Sequence, residues 1–203
     1  MIEIKKIIKL IIFSFFLNYV SIILGDNMKI FVGCSSREDI PKKYYDDCKI
    51  LLDRLLKNND LVFGAFHGGL MGIAHDITLQ NENKIIGICP EVYRHDFDNL
   101  KCDKEILTKN ITERTSEIIN NSDILLFLPG GIGTIYELYT SLECKRCHEF
   151  DKPIIIFNSN GFFDKLLEFM EVIYEEKFAN FDDKNLYFIS NNIEKIENYI
   201  EFY

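Results

Sequence analysis

The sequence predicts an α/β fold: a doubly wound, mainly parallel sheet of about six to seven strands flanked by helices. Three observations lead there. Short apolar runs alternate with longer amphipathic ones from Met28 onward, the order expected of strands joined by helical crossovers. The runs are continuously apolar, as strands covered on both faces are. Several of them end in loops rich in glycine and hydroxyl residues, where open parallel sheets hold their ligands.

The elements follow in order. KIFVG (29–33) is the first strand, and a helical pattern occupies 41–58. LVFG (61–64) leads through GAFHGG into a helix over 69–81. KIIGIC (84–89) precedes an irregular stretch, 90–111, with one more short strand near Glu105–Thr108. A helix near 112–121 leads to DILLFL (123–128). PGGIGT then opens a helix over 134–148. KPIIIF (152–157), a helix over 161–178, LYFIS (186–190) and a helix over 191–202 complete the chain. Asn191 or Asn192 suits the cap of the last helix, because a short side-chain oxygen can accept an orphan N–H there.

The chain has 203 residues and is 47% hydrophobic, enough for one large domain with a substantial core. Its net charge of −9 leaves no broad basic face for nucleic acid. An anionic ligand must therefore be drawn in by a local site. Six scattered cysteines are read as reduced thiols, since a domain of this size does not need disulfides.

Residues 1–27 form an apolar leader. MIEIKK precedes an uncharged run, Leu10 to Leu24, which resembles a signal peptide. SIILGDN lacks a small-x-small cleavage pattern. Extended back to Ile7, the run approaches the roughly 20 residues of a spanning helix. Met28 in MKIFVGC is also a natural start for a domain that begins on its first strand. An upstream start, an anchor and a signal peptide all remain open. All three leave one domain at 28–203, cytoplasmic unless the leader anchors it at a membrane.

Pro129–Thr134 is the strongest local signal. Glycines allow backbone N–H groups to converge on one spot at a helix N-terminus, which is an anion cradle. The lysine of a P-loop is missing from GIGTIYE. Tyr136 stands where a dinucleotide fingerprint has its third glycine, and IIIFN ends on Asn158 rather than an acid. ATP hydrolysis and NAD binding are thus disfavoured. Glu137 lies three residues past Thr134, about 4.5 Å along the helix, the step from a 5′-phosphate to its ribose. Its carboxylate could serve the sugar, or simply compensate the helix dipole. In GAFHGGLMG, Gly68 and Gly69 allow close backbone approach, and Phe66 and Leu70 could flank a base. His67 reads as a ligand, an acid or surface decoration. Ser35 and Ser36 offer hydroxyls after the first strand. Arg114 opens the helix near 112–121, either for the site or for a surface ion pair.

PGGIGTIYE resembles, without a gap, the PGGxGTxxE signature of the Lonely-guy family of cytokinin riboside 5′-monophosphate phosphoribohydrolases, formerly mislabelled lysine decarboxylases. GLMG (69–72), TERT (112–115), DKP (151–153) and GFFDKLLEF (161–169) resemble further family segments, so the likeness spans 28–203. It implies a modified Rossmann sheet, a homodimer, and hydrolysis of the N-glycosidic bond of adenosine 5′-monophosphate or an N6-modified form. It implies no cofactor and no metal. By the same resemblance, Gly130, Gly131, Gly133 and Thr134 hold the phosphate. Ser35, Gly68, Gly69 and Met71 contact substrate, and Glu137 and Arg114 are the catalytic pair. Three departures stand out. Gly64-Ala65-Phe66-His67 replaces GGG-S, Thr115 replaces lysine, and Cys144 replaces tryptophan. The first and third bear on the base pocket, so the base is left open. A nucleotide-binding sensor of the same fold is the alternative class, and retention of Glu137 and Arg114 argues against it.

CKRCH (144–148) matches the attachment pattern of c-type haem. Cys144, Cys147 and His148 fall at i, i+3 and i+4 of the helix expected over 134–148 and would share one face. No second cysteine or histidine pair completes a metal set. The cysteines are read as packing or interface residues.

Overall fold

The computed structural model describes residues 27–203. The leader lies outside the described residues except for Asn27, whose side chain donates to Asp60 Oδ1 at 3.1 Å and to Asn83 Oδ1 at 3.0 Å.

Seven strands form one sheet: β1 (Lys29–Gly33), β2 (Asp60–Phe63), β3 (Ile85–Pro90), β4 (Lys104–Thr108), β5 (Ile124–Phe127), β6 (Ile154–Phe157) and β7 (Phe188–Ser190). All neighbouring pairs are parallel, in the order β4-β3-β2-β1-β5-β6-β7. The mainly parallel expectation is therefore met by a sheet that is parallel throughout. The short strand anticipated near 105–108 is β4, an edge strand, which explains why it carries a charged and half-exposed sequence.

Among the described residues, five α-helices lie between strands and a sixth follows the last: α1 (Lys42–Leu55), α2 (Gly69–Gln80), α3 (Ile111–Asn120), α4 (Ile132–Arg146), α5 (Asp164–Glu175) and α6 (Ile193–Glu201). A 3-10 segment over Glu91–Asn99 fills most of the irregular stretch. Asn192 is the cap of α6, its side chain accepting from Lys195 N at 3.0 Å.

Strand side chains alternate between two cores. Ile30, Val32 and Leu126 pack with Leu51 and Leu52 of α1, Leu70 and Ala74 of α2, and Ile196 of α6. Phe31, Leu125 and Phe127 pack on the other face with Ile118 of α3, Leu138 of α4 and Met170 of α5. Each fully buried Leu, Ile or Phe contributes about 1.5–3 kcal/mol relative to an exposed one. Both faces are covered, which is the doubly wound arrangement. The chain leaves β1 toward β2 and returns past it to β5, so the two sheet halves diverge at the C-terminal ends of β1 and β5. Such a divergence leaves a crevice between the loops.

Candidate functional site

The loops after β1 and β5 meet at that crevice. Ser35 N donates to Pro129 O at 3.0 Å, and Met71 N donates to Ser35 O at 3.2 Å. One serine thus joins three loops. Its hydroxyl accepts from Arg37 N at 3.1 Å. Gly68 and Gly69 serve the same junction. A Cβ on Gly68 would stand 2.6 Å from Ser36 O, and one on Gly69 2.4 Å from Arg37 O. Gly69 also has φ +56°. Close approach is required here, but of loop to loop.

The glycines of the anion loop differ among themselves. Gly130 lies against the buried Thr134, whose Oγ1 would be 2.1 Å from an added Cβ. Beside Gly131 and Gly133 an added Cβ would meet nothing within 4 Å. No internal packing demands glycine at those two positions. Gly131 is the N-cap of α4 and makes no side-chain cap bond. The start of α4 is thus open beside both glycines, and its first-turn N–H groups have no partner within the helix, with the helix dipole behind them.

Glu137, one turn further, is 5% exposed. Arg114 Nη1 donates to its Oε1 at 2.6 Å, and Arg114 Nε donates to Ile88 O at 3.1 Å. Burial pushes the Glu137 carboxyl above the usual carboxylate range, while the charge and hydrogen bond of Arg114 pull it back. The arginine is delivered by a well-ended helix. Asn110 Oδ1 accepts from Glu113 N at 2.9 Å, and Glu113 Oε2 accepts from Lys109 N at 2.7 Å. Asn110 thus caps α3, and within TERT Glu113 braces that cap while Arg114 enters the site. Thr115 is buried and returns its hydroxyl to Ile111 O at 3.1 Å.

Gly64 forms the seat of the guanidinium. A Cβ there would lie 2.2 Å from Arg114 Nη2, a requirement that sequence inspection did not register. Ala65 follows with φ 55°, a left-handed conformation that costs a non-glycine residue about 1–2 kcal/mol. Such strain clusters at functional sites.

A cleft of about 410 Å³ opens beside the arginine, lined by Gly64, Phe66, Met71, Pro90, Tyr93 and Arg114 among others. Phe66 is available to a flat ring as expected. Leu70 is fully buried in the core instead, because the first turn of α2 rotates it inward. None of the described residues that line the cleft is a lysine. Cys89 lines it, but burial above all pushes its thiol up to about 11, so it is not a thiolate at neutral pH.

Cys144 lies elsewhere. It lines a larger hollow of about 790 Å³ between α4 and the α5 region, with Tyr139, Met170 and Tyr174. Seven residues separate it from Glu137, about 10 Å along the helix axis. Its replacement of tryptophan therefore does not touch the 410 Å³ cleft. Nor do Cys144, Cys147 and His148 share a helical face. The helix ends at Arg146, and His148 has φ 60°. His148 N donates to Lys145 O and Glu149 N to Cys144 O, both at 3.0 Å, which is a Schellman ending. CKRCH is a helix stop.

A family model described as "Possible lysine decarboxylase" matches residues 71–200. A probable cytokinin riboside 5′-monophosphate phosphoribohydrolase of Oryza sativa subsp. japonica is 28% identical over 178 residues, covering 84% of this chain and 71% of that protein. A cytokinin riboside 5′-monophosphate phosphoribohydrolase of Arabidopsis thaliana is 29% identical over 154 residues, covering 75% of this chain and 72% of that one. Among solved structures, the Moco carrier protein of Chlamydomonas reinhardtii aligns with a TM-score of 0.62 at 16% identity, over 86% of this chain and 96% of that chain. The molybdenum cofactor binding protein of Rippkaea orientalis aligns with a TM-score of 0.60 at 21% identity, over 86% and 96%. At those identities the likeness concerns the fold alone. The family match spans well over half of the 203 residues, and the chain belongs to the possible lysine decarboxylase family, the Lonely-guy family of the sequence resemblance.

Proposed function

We propose that residues 28–203 hydrolyse the N-glycosidic bond of adenosine 5′-monophosphate or an N6-modified form, releasing free base and ribose 5-phosphate. One observation carries the reading. A buried carboxylate, clamped by an arginine at 2.6 Å, stands one helical turn past an uncapped glycine loop. Phosphate on the N–H groups of Gly131 to Thr134 brings the ribose over Glu137 and the base into the cleft beside Phe66, Met71 and Tyr93. As carboxylate, Glu137 engages the ribose hydroxyls, orients water and stabilises the positive charge that develops at C1′, as in glycosidases. Water adds its oxygen to C1′ as the bond to the base nitrogen breaks. The departing base takes up a proton. Arg114 holds the carboxylate in place and steadies the leaving base.

The names of the curated relatives support this substrate class. Lysine decarboxylation is not favoured, since a pyridoxal enzyme of that kind needs a lysine for its Schiff base. The test is incubation of the protein with AMP and N6-isopentenyl-AMP, following released base by chromatography. Glu137→Gln should bind nucleotide without turning it over. Full activity in that variant would refute the mechanism, and binding without turnover in the parent protein would make the fold a nucleotide sensor.

The homodimer implied by the resemblance is part of the same proposal. Phe178 lines the hollow that contains Cys144 and is exposed, and Phe169 and Phe181 are exposed as well, apolar surface that a second copy would cover. Sedimentation at the monomer mass would refute it. A nucleotide substrate also places the domain on the cytoplasmic side. Among the described residues, no helix is long and apolar enough to cross a membrane.

A further inference from the structure

His67 does not stand alone. Its Nε2 lies 2.9 Å from Asp76 Oδ1, and His75 Nδ1 lies 3.0 Å from the same oxygen. The other nitrogen of His75 is 3.2 Å from Lys101 O. A carbonyl can only accept, so His75 Nε2 carries the proton of that hydrogen bond. In a neutral ring, Nδ1 then presents its lone pair to a carboxylate oxygen. The arrangement asks for positive charge between the two atoms. His75 is also buried, with its side chain 4% exposed, so this orientation is built into the packing of α2.

We propose that His67, His75 and Asp76 form a binding site for one divalent transition-metal ion of the zinc class. The three ligand atoms lie within 4.8 Å of one another. Zinc binds imidazole nitrogen at about 2.0–2.1 Å and carboxylate oxygen at about 2.0–2.2 Å. Two ligands of one tetrahedral ion then stand roughly 3.4 Å apart, so the two short contacts need to open by a few tenths of an ångström, and the two imidazole nitrogens, within 4.8 Å of each other, need to close toward the same spacing. Two imidazoles and one carboxylate suit zinc and its neighbours rather than calcium or magnesium, which prefer all-oxygen sites. The Lys101 carbonyl supplies the outer hydrogen bond that metal-bound histidines regularly have. His67 and Asp76 are each 51% exposed at the side chain, which leaves the fourth position to water. The ion would tie the loop that carries Phe66 to the second turn of α2. Zinc binding here requires nothing of the nucleotide cleft, so the site and the proposed hydrolysis fail separately.

The test is a titration of the chelator-treated full-length protein with Zn²⁺ and Co²⁺, followed by calorimetry and absorption. One ion per chain is expected, with Co²⁺ bands free of thiolate charge transfer. Loss of an outer-shell partner alone costs about 10–100-fold in metal affinity. His67→Ala and Asp76→Asn should therefore each weaken binding by about 10-fold or more. Cys147→Ser should leave it unchanged. Zn²⁺ should raise the melting temperature of the parent and not of His67→Ala, while the two proteins melt alike without metal. Absence of binding, a thiolate band, or unchanged affinity in His67→Ala and Asp76→Asn would overturn the proposal.

Discussion

Gly64→Ala isolates the positioning of Arg114, catalytic in the proposed mechanism, with a single methyl group. The added Cβ would stand 2.2 Å from Arg114 Nη2, where ordinary contact begins at 3.4 Å. The guanidinium must therefore retreat by about 1.2 Å, the difference between those two distances. It cannot simply swing aside, because Nε is held by Ile88 O and Nη1 by Glu137. At least one of those bonds must lengthen. A misplacement of about 1 Å in a reacting constellation costs on the order of 100-fold in rate, or about 2.7 kcal/mol of barrier. The fold should tolerate the change, since a glycine-to-alanine replacement also narrows the unfolded ensemble by about 0.4–1 kcal/mol. The assay is steady-state release of base from AMP, beside a thermal melt. Turnover should fall about 100-fold with little change in melting temperature. A second arm uses Arg114→Ala: if the methyl acts only through the arginine, the double variant should be no slower than Arg114→Ala alone. Turnover within threefold of the parent, or additive losses in the double variant, would refute the reasoning.

Two further outcomes follow from the same site. In the proposed mechanism Glu137 works as a carboxylate, and burial raises its pKa, so the acid limb of kcat/KM should have its midpoint above the ordinary value of about 4.3; a midpoint at or below that value would contradict the burial. For stability the sign is reversed: a raised folded-state pKa favours folding below the unfolded value and loses that contribution as pH rises through the folded one. Gly133→Ala should stabilise α4 by about 0.5–1 kcal/mol, because its Cβ meets nothing within 4 Å, yet raise KM for AMP by crowding the phosphate; an unchanged KM would show that the loop does not hold it.

Much of the fold was legible because burial on both faces writes itself as short apolar runs. Even β4 could be seen, from Glu105 to Thr108. The pairing of Arg114 with Glu137 was reached through resemblance, since their spacing alone does not bring them together. What escaped notice depends on rotations and close approaches that a linear pattern does not contain. His67 looked solitary because its partners lie on α2, where the facing of His75 and Asp76 depends on how the helix seats. Leu70 and Phe66 flank one turn, and only the turn decides which is core. Gly68 and Gly69 looked ligand-facing, but loop meets loop there. The i, i+3, i+4 spacing of Cys144, Cys147 and His148 presumed a helix that continues, and one left-handed residue ends it.

The strand order also governs when the site can exist during synthesis. Lys29 N–H is bonded to the Asp123 carboxylate, 94 residues away in sequence, and β1 is flanked on one side by β2 and on the other by β5. A ribosome releasing the chain from its N-terminus presents β1 to β4 before β5. Until then the open edge of β1 is an unpaired strand, apolar after Lys29, the kind of edge that recruits foreign chains. Sequence-distant pairings of this kind also form slowly. Nucleotide cannot assist those early steps, because the anion loop and Glu137 emerge only after the strand that closes the gap.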